Sequence, residues 1–224
     1  MTFSLSPSTL SLLKECPRCF WMHLHGMKRP ETIFPSLPSG MDRVLKEHFD
    51  GFREKKGLPP ELCSLDDGTH LFGDAKKLKE WRNARKGISW KDGDGNLFHG
   101  GIDELLEKKG KLAVLDFKTR GYPVKDDTAG HYQDQLDIYN LLFRKNGFST
   151  EDFAYLLFYH PLKVWEDGKV SFHAELVRMK VNVKNAEQIF KNALEVLKVP
   201  MPKAEPGCGF CGRCEKSSIF PVAR

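Results

Sequence analysis

Residues 101–119 read GIDELLEKKGKLAVLDFKT, and this stretch decides the fold. Apolar and polar residues alternate through both of its halves, which predicts two strands, over residues 97–107 and 112–119. Residues 108–111 turn the chain between them. The stretch therefore predicts a β-hairpin with acidic and basic side chains on one face.

Two aspartates face each other across this hairpin. A turn centred between Lys109 and Gly110 places Asp103 directly opposite Asp116, with their Cβ atoms about 5 Å apart. Alternation along the strand puts Lys118 on the same face as Asp116. Facing carboxylates repel each other unless a cation lies between them, and hard oxygen ligands suit Mg²⁺ or Mn²⁺. A solvated cross-strand pair, with Lys118 neutralising Asp116, is the alternative that this stretch alone leaves open.

Helices and further strands flank the hairpin in the sequence. Apolar spacing predicts four helices, from residue 39 to a stop at Gly57 and over 74–85, 131–144 and 183–197. Period-two patterns predict strands over 88–91, 153–160 and 170–178. We therefore expect an α/β fold, a mixed sheet flanked by helices. It forms one domain of residues 1–224, in which segment 1–38 is helical, 39–199 is the core and 200–224 is cysteine-rich.

Composition excludes several classes of protein. The 224 residues include sixteen Phe and four Trp, which argues against disorder. The longest apolar run, residues 153–162, is too short to span a membrane, and the N-terminus lacks the pattern of a signal peptide. We expect a soluble, cytoplasmic protein with no membrane partner. The net charge of +5 permits a polyanionic partner without requiring one.

Five of the six cysteines occur in two groups near the ends of the chain, which indicates metal ligation. These are Cys16 and Cys19 at one end and Cys208, Cys211 and Cys214 at the other. Cys63 stands alone and is interpreted as a small packed apolar residue. The spacing fits an iron–sulfur cluster or a zinc ion held by two Cys-x-x-Cys pairs.

The order of the motifs resembles a known family. Three motifs, taken in order, are similar to those of the PD-(D/E)XK nuclease superfamily. They are Gly101-Ile102-Asp103, then Asp116-Phe117-Lys118-Thr119, then Gln135-x-x-x-Tyr139 on one helix face. The likeness is strongest to its RecB-like exonuclease branch, which includes CRISPR-adaptation and phage nucleases. It implies a restriction-endonuclease-like core and a Mg²⁺- or Mn²⁺-dependent deoxyribonuclease that acts on single-stranded DNA or duplex ends.

The resemblance also implies roles for individual residues. Asp103 and Asp116 ligate the metal together with the backbone carbonyl of Phe117. Lys118 helps to activate the attacking water. Gln135 and Tyr139, the residues of the helical motif, position Lys118 and the DNA.

One expected metal ligand is missing from its usual place. The branch has a histidine where this chain has Val44, and the nearest imidazole belongs to His48, one turn later on the same helix face. Two interpretations stay open, since His48 either substitutes as a metal ligand or is a half-buried structural histidine.

The same resemblance implies what the two cysteine groups bind. Relatives hold a 4Fe–4S cluster with one N-terminal and three C-terminal cysteines, which here are Cys16, Cys208, Cys211 and Cys214. Cys19 is the alternate to Cys16, and zinc on two Cys-x-x-Cys pairs is the rival. Either centre joins the two termini.

The substrate surface and the partners are less defined. The basic helix predicted before the sheet either contacts DNA or is a solvated face, and its candidates are Lys76, Lys77, Arg82 and Arg85. Phe98, Tyr122 and Trp81 either stack on unpaired bases or belong to the core. Helicase, repair or CRISPR-adaptation proteins are the partners implied. The alternative function is a nucleic-acid-binding or complex-assembly metalloprotein with a vestigial nuclease site.

Overall fold

A computed structural model of the chain describes residues 1–30, 36–65 and 68–216, without the side chains of 213–216. Contacts within the chain divide it into two compact units. The first unit comprises Met1–Ile33, Lys91–Phe98 and Glu187–Arg224, and the second comprises Phe34–Trp90 and His99–Ala186. The N-terminal and C-terminal segments thus belong to the same unit. The single domain of residues 1–224 stays a prediction.

The described residues contain α-helices, strands and two short 3₁₀ turns. The helices are α1 (Pro7–Glu15), α2 (Pro17–Leu24), α3 (Ser36–Glu54), α4 (Ala75–Trp81), α5 (Gln133–Lys145), α6 (Val183–Lys198) and α7 (Gly209–Lys216). The strands are β1 (Ser4–Leu5), β2 (His70–Leu71), β3 (Ile88–Lys91), β4 (Leu97–Gly100), β5 (Glu104–Lys108), β6 (Lys111–Thr119), β7 (Phe153–Val164) and β8 (Val170–Lys180). None of the helices in the described ranges is long and apolar enough to cross a membrane.

Two predicted helical boundaries need correction. The helix predicted over 74–85 ends at Trp81. The cysteine-rich C-terminal segment, for which no helix was predicted, contains α7 directly after Cys208.

Five strands of the second unit form one sheet in the order β2-β5-β6-β7-β8. β6 and β7 run parallel, whereas the other neighbouring strands are antiparallel. A parallel pair needs a crossover connection, and α5 lies on the connection between β6 and β7. The predicted mixed sheet flanked by helices is therefore confirmed.

The β5–β6 hairpin has the predicted register. Glu104 pairs with Leu115, and Lys108 pairs with Lys111. The turn residues Lys109 and Gly110 both have positive φ, 50° and 76°. Two such residues make the tight turn that matches the twist of paired strands. The same register, continued by one position, sets the two predicted aspartates opposite each other.

Alternation along β6 separates an apolar face from a polar one. Phe117 packs against Phe49 of α3, with ring centroids 4.8 Å apart, inside a buried hydrophobic cluster. Asp116 and Lys118 point to the opposite face, where both contact Gln135 of α5. One strand thus anchors the core and presents the charged pair.

The strand predicted over 97–107 is two strands, β4 and β5, interrupted at residues 101–103. Next to this interruption the backbone of Gly87, which has a φ of 49°, approaches Gly100 closely. A Cβ on Gly87 would lie 2.0 Å from the carbonyl oxygen of Gly100, so no other residue fits there. The interruption leaves Asp103 immediately before β5.

The first unit has a small core of its own. β1 pairs in parallel with β4, with Ser4 opposite Leu97. Phe98 stacks on Phe190 of α6 with centroids 4.6 Å apart, so it belongs to the core. Pro17 opens α2, and its fixed φ suits the first helical position.

Candidate active site and cysteine cluster

Two carboxylates meet where β5 begins. Asp116 is 1% exposed, and Asp103 accepts a hydrogen bond of 2.9 Å at Oδ2 from the backbone N–H of Phe117. Burial and the charge of Asp103 raise the pKa of Asp116 to about 7, although Lys118 opposes this. Two carboxylates this close repel each other, and a cation relieves that repulsion.

Lys118 is held in a fixed position beside this pair. Its ammonium contacts the Asp116 carboxylate, lies 3.1 Å from Oε1 of Gln135 and sits 4.5 Å from the ring centroid of Tyr132. Burial alone would lower the pKa of Lys118, but the charges of Asp116 and Asp103 outweigh it and raise the pKa. Lys118 is therefore a cation at neutral pH and a donor, not a proton acceptor.

Gln135 links the members of the site. Its amide nitrogen donates to Oδ1 of Asp116 at 3.0 Å and to the hydroxyl of Tyr139 at 2.8 Å, while its oxygen faces Lys118. Gln135 and Tyr139 are one helical turn apart on α5, so they share a face as predicted. The structure thus brings together all five residues assigned to catalysis by sequence.

Lys46 is a member of this cluster that the sequence did not reveal. Its Nζ atom lies 3.0 Å from Oδ1 of Asp103 and 2.8 Å from Oδ1 of Asp42. Burial would lower its pKa, but the charge of Asp103 raises it. The only signal in the sequence was the i, i+4 spacing from Asp42, which is typical of ordinary surface pairs.

His48 contacts a different group of side chains. Its Nε2 atom lies 3.2 Å from a carboxylate oxygen of Glu61, which also accepts a hydrogen bond of 3.0 Å from the hydroxyl of Tyr159. Its ring meets Phe52 edge-on at 5.1 Å. Among the described contacts, none joins His48 to Asp103, and its role as a metal ligand stays a prediction.

A buried ion network supports the backbone of Asp103. Glu104 is fully buried and is contacted through both carboxylate oxygens by Arg53 and by Arg82 at 3.0 Å. Arg82 also binds Asp50 at 2.7 Å and donates from Nε to the main-chain oxygen of Asp103 at 2.8 Å. Burial raises the pKa of Glu104 although both guanidinium groups oppose this. In the sequence, the only indication of this network was the position of Glu104 next to the apolar residues of β5.

This network changes the interpretation of Arg82. Its side chain is 13% exposed and binds three acceptors, so it supports Asp103, and its contact with DNA stays a prediction. Lys76, Lys77 and Arg85 are exposed, which is compatible with the surface predicted for them. Trp81 is packed edge-on against Phe143 and belongs to the core. The remaining aromatic candidate, Tyr122, is exposed.

Four cysteines of the first unit form a compact cluster. The Sγ atoms of Cys16, Cys19, Cys208 and Cys211 all lie within 4.8 Å of one another. All but Cys208 are buried. The cluster contains both Cys16 and Cys19, although the sequence predicted Cys19 only as the alternate to Cys16. The side chain of Cys214, the other predicted ligand, lies outside the described residues. An all-sulfur donor set of this kind suits zinc or iron–sulfur ligation.

Comparison with known proteins identifies the family. The profile of the PD-(D/E)XK nuclease superfamily matches residues 69–219, more than half of the chain. A comparison with curated protein sequences finds no match. The matched range includes all five residues assigned to catalysis, which lie between Asp103 and Tyr139. The chain therefore belongs to the PD-(D/E)XK nuclease superfamily.

Proposed function

We propose that the protein is a metal-dependent deoxyribonuclease that hydrolyses phosphodiester bonds at the Asp103–Asp116 pair. The observation that carries this proposal is the buried carboxylate pair beside a charged lysine, which Gln135 holds in place. Membership of the nuclease superfamily supports the same reaction.

The donor set fits a hard divalent cation. The carboxylates of Asp103 and Asp116 would hold Mg²⁺ or Mn²⁺, and the resemblance adds the backbone carbonyl of Phe117. Such an ion polarises a phosphate and lowers the pKa of an attacking water. The raised pKa of Asp116 supports this assignment, because a divalent ion stabilises a carboxylate whose charged form is disfavoured by burial and by the charge of Asp103.

The protein's own groups supply orientation and charge. Lys118 presents a fixed ammonium to the region where negative charge develops on the phosphate oxygens. Gln135 keeps that ammonium beside Asp116, and Tyr139 in turn fixes the amide of Gln135. Arg82 and Glu104 hold the main chain at Asp103, so the first carboxylate keeps its direction.

Lys46 is given a separate role in this proposal. Its ammonium neutralises Asp103 when no metal is bound. Lys46 would compete with a metal ion for Asp103, so this contact would weaken cation binding at the site. Displaced towards solvent, the same charge is available to a phosphate of the DNA.

Cleavage of end-labelled DNA tests the proposed function. We expect products with Mn²⁺ and none with EDTA, and Asp116→Asn should lower the rate by about a thousandfold because the buried ligand pair is lost. The matched control is Asp167→Asn, since Asp167 and Lys169 form an exposed Asp-x-Lys pair in the β7–β8 turn. Equal rates in wild type and Asp116→Asn would refute the assignment.

The resemblance makes the proposal more specific. A RecB-like exonuclease would degrade linear single-stranded DNA or duplex ends and leave covalently closed circular DNA intact. Cleavage of closed circles at the same rate would contradict exonuclease action without contradicting the nuclease. Association with a helicase, repair or CRISPR-adaptation protein rests on the resemblance alone, as does a 4Fe–4S occupant of the cysteine cluster.

A further inference from the structure

The sulfur atoms of the cysteine cluster are close to one another. Cys16 and Cys211 are 3.9 Å apart at Sγ, Cys19 and Cys208 are 3.7 Å apart, and Cys19 and Cys211 are 3.4 Å apart. These are distances between free thiols, since none of the four forms a disulfide.

These distances distinguish two kinds of occupant. One zinc ion with Zn–S bonds of about 2.3 Å in a tetrahedron sets its sulfurs about 3.8 Å apart. A 4Fe–4S cluster binds each thiolate to a different iron, so its four cysteine sulfurs lie much farther apart. The observed cluster has the size of a single-ion site.

The backbone around the cluster is arranged for thiolates. Cys16 is the N-cap of α2, and Cys208 directly precedes α7, so each Cys-x-x-Cys pair spans the first turn of a helix. The backbone N–H of Glu205 also donates to Sγ of Cys16 at 3.4 Å. The positive end of the helix dipole favours negative sulfur in this position, although Sγ of Cys16 makes no capping hydrogen bond to α2.

A guanidinium group lies against the same cluster. Nη2 of Arg29 is 3.7 Å from Sγ of Cys208, and Nη1 is held by Glu15 at 2.7 Å. Four thiolates around a divalent ion carry two surplus negative charges, which are costly to bury. Arg29 compensates part of that charge.

We infer that Cys16, Cys19, Cys208 and Cys211 bind a single tetrahedral zinc ion instead of an iron–sulfur cluster, and that Arg29 stabilises the bound tetrathiolate. This departs from the occupant that the family resemblance implies. It also replaces Cys214 by Cys19 in the ligand set. The site fastens the N-terminal and C-terminal segments of the first unit and is independent of the nuclease proposal.

Metal analysis of anaerobically purified full-length protein tests the occupant directly. We expect one equivalent of zinc per chain, no acid-labile sulfide and no visible absorbance. After replacement by Co²⁺, the intense visible bands of a tetrahedral tetrathiolate should develop. Iron with matching sulfide, or protein with no bound metal, would overturn the inference.

Two single substitutions separate the ligand sets. Cys19→Ser should lose tetrathiolate Co²⁺ bands, whereas Cys214→Ser should retain them and the zinc. The 4Fe–4S assignment with Cys16 as its N-terminal ligand predicts instead that Cys19→Ser keeps its iron and sulfide and that Cys214→Ser loses them. Cys63→Ser is the control for loss of an unrelated thiol. Loss of metal in Cys214→Ser with retention in Cys19→Ser would contradict the inference.

The role of Arg29 has its own readout. Arg29→Met should keep one zinc per chain but release it several-fold faster to a chromogenic chelator, because one compensating charge is lost. Arg29→Lys should restore slow release. The same release rate in wild type and Arg29→Met would refute the role of Arg29, whatever the metal analysis shows.

Discussion

The candidate active site and the cysteine cluster are both proposed to bind cations, but they are built in opposite ways. The active site offers hard oxygen donors, and its two carboxylates are joined by one hairpin. The cluster offers soft sulfur donors from the two ends of the chain. Hard donors in a partly accessible place suit an exchangeable catalytic ion, whereas buried thiolates suit a permanent structural ion. The comparison predicts that substitutions in the candidate active site lower the cleavage rate, whereas substitutions in the cysteine cluster lower the stability of the fold.

The largest expected effect is on catalysis. Lys118→Met should lower the cleavage rate by at least about a hundredfold, because a fixed positive charge beside the reacting phosphate is lost. Melting temperature should change little by comparison. Lys169→Met removes the exposed lysine of the β7–β8 turn and is the matched control. Full activity of Lys118→Met in the labelled-DNA assay would contradict the catalytic role.

The second effect concerns stability. Cys16→Ser should lower the melting temperature by about 10 °C or more, because a structural ion contributes several kcal/mol to folding. Asp116→Asn should lower it far less, since this change removes a repelled carboxylate. Thermal denaturation of both variants checks the contrast. Equal losses of stability would show that the two regions are not divided between catalysis and folding.

A third change tests positioning within the active site. Gln135→Ala should lower kcat by about 10- to 100-fold through misplacement of the Lys118 ammonium. Binding of Mn²⁺ should persist, since both carboxylates remain. The control is Gln188→Ala, whose side chain contacts only Asn192 among the described hydrogen bonds of α6. Loss of Mn²⁺ binding in Gln135→Ala would reassign Gln135 from lysine positioning to the metal site itself.

A fourth change concerns the lysine that neutralises Asp103. Lys46→Met should bind Mn²⁺ about threefold to tenfold more tightly, because an ion pair worth about 1 kcal/mol no longer competes for the carboxylate. Calorimetric titration measures this without reference to cleavage. Arg43→Met is the control on the same helix, where Arg43 pairs with Glu47 at the surface. Unchanged or weaker Mn²⁺ binding in Lys46→Met would remove Lys46 from the site.

The smallest effect is a pH dependence. Folding raises the pKa of Asp116 from 3.8 to about 7, so the stability from its protonated form is lost as the pH rises through about 7. A metal ion replaces that proton. The increase in melting temperature caused by Mn²⁺ should therefore be larger at pH 8 than at pH 6. Asp116→Asn should abolish this difference, and a pH-independent increase in wild type would argue against a metal on Asp116.

The sequence predicted the hairpin better than the contacts around it. The register of β5 and β6 follows from local alternation and from the turn at Lys109 and Gly110, so Asp103 and Asp116 could be paired in advance. The contacts of Lys46 and Arg82 depend on how α3 and α4 pack on the hairpin, which local spacing does not encode. The sequence therefore predicted Arg82 as a surface residue of the basic helix, whereas its largely buried side chain binds the main-chain oxygen of Asp103.

The cysteines show the same division between spacing and packing. Their spacing predicted a metal centre but left five candidates for four ligand positions. Only the approach of α2 and α7 brings Cys19 into contact with Cys208 and Cys211. Which four cysteines form the cluster therefore depends on how segments that are distant in the sequence pack together.

Anomalous diffraction from crystals soaked in Mn²⁺ tests the central claim most directly. The account predicts a manganese peak between the carboxylates of Asp103 and Asp116, with the Lys46 ammonium displaced from Asp103. Data collected at the zinc edge from the same crystals should show a second peak among the four sulfurs. Absence of manganese between the two aspartates, with Lys46 and Lys118 still paired to them, would contradict the account.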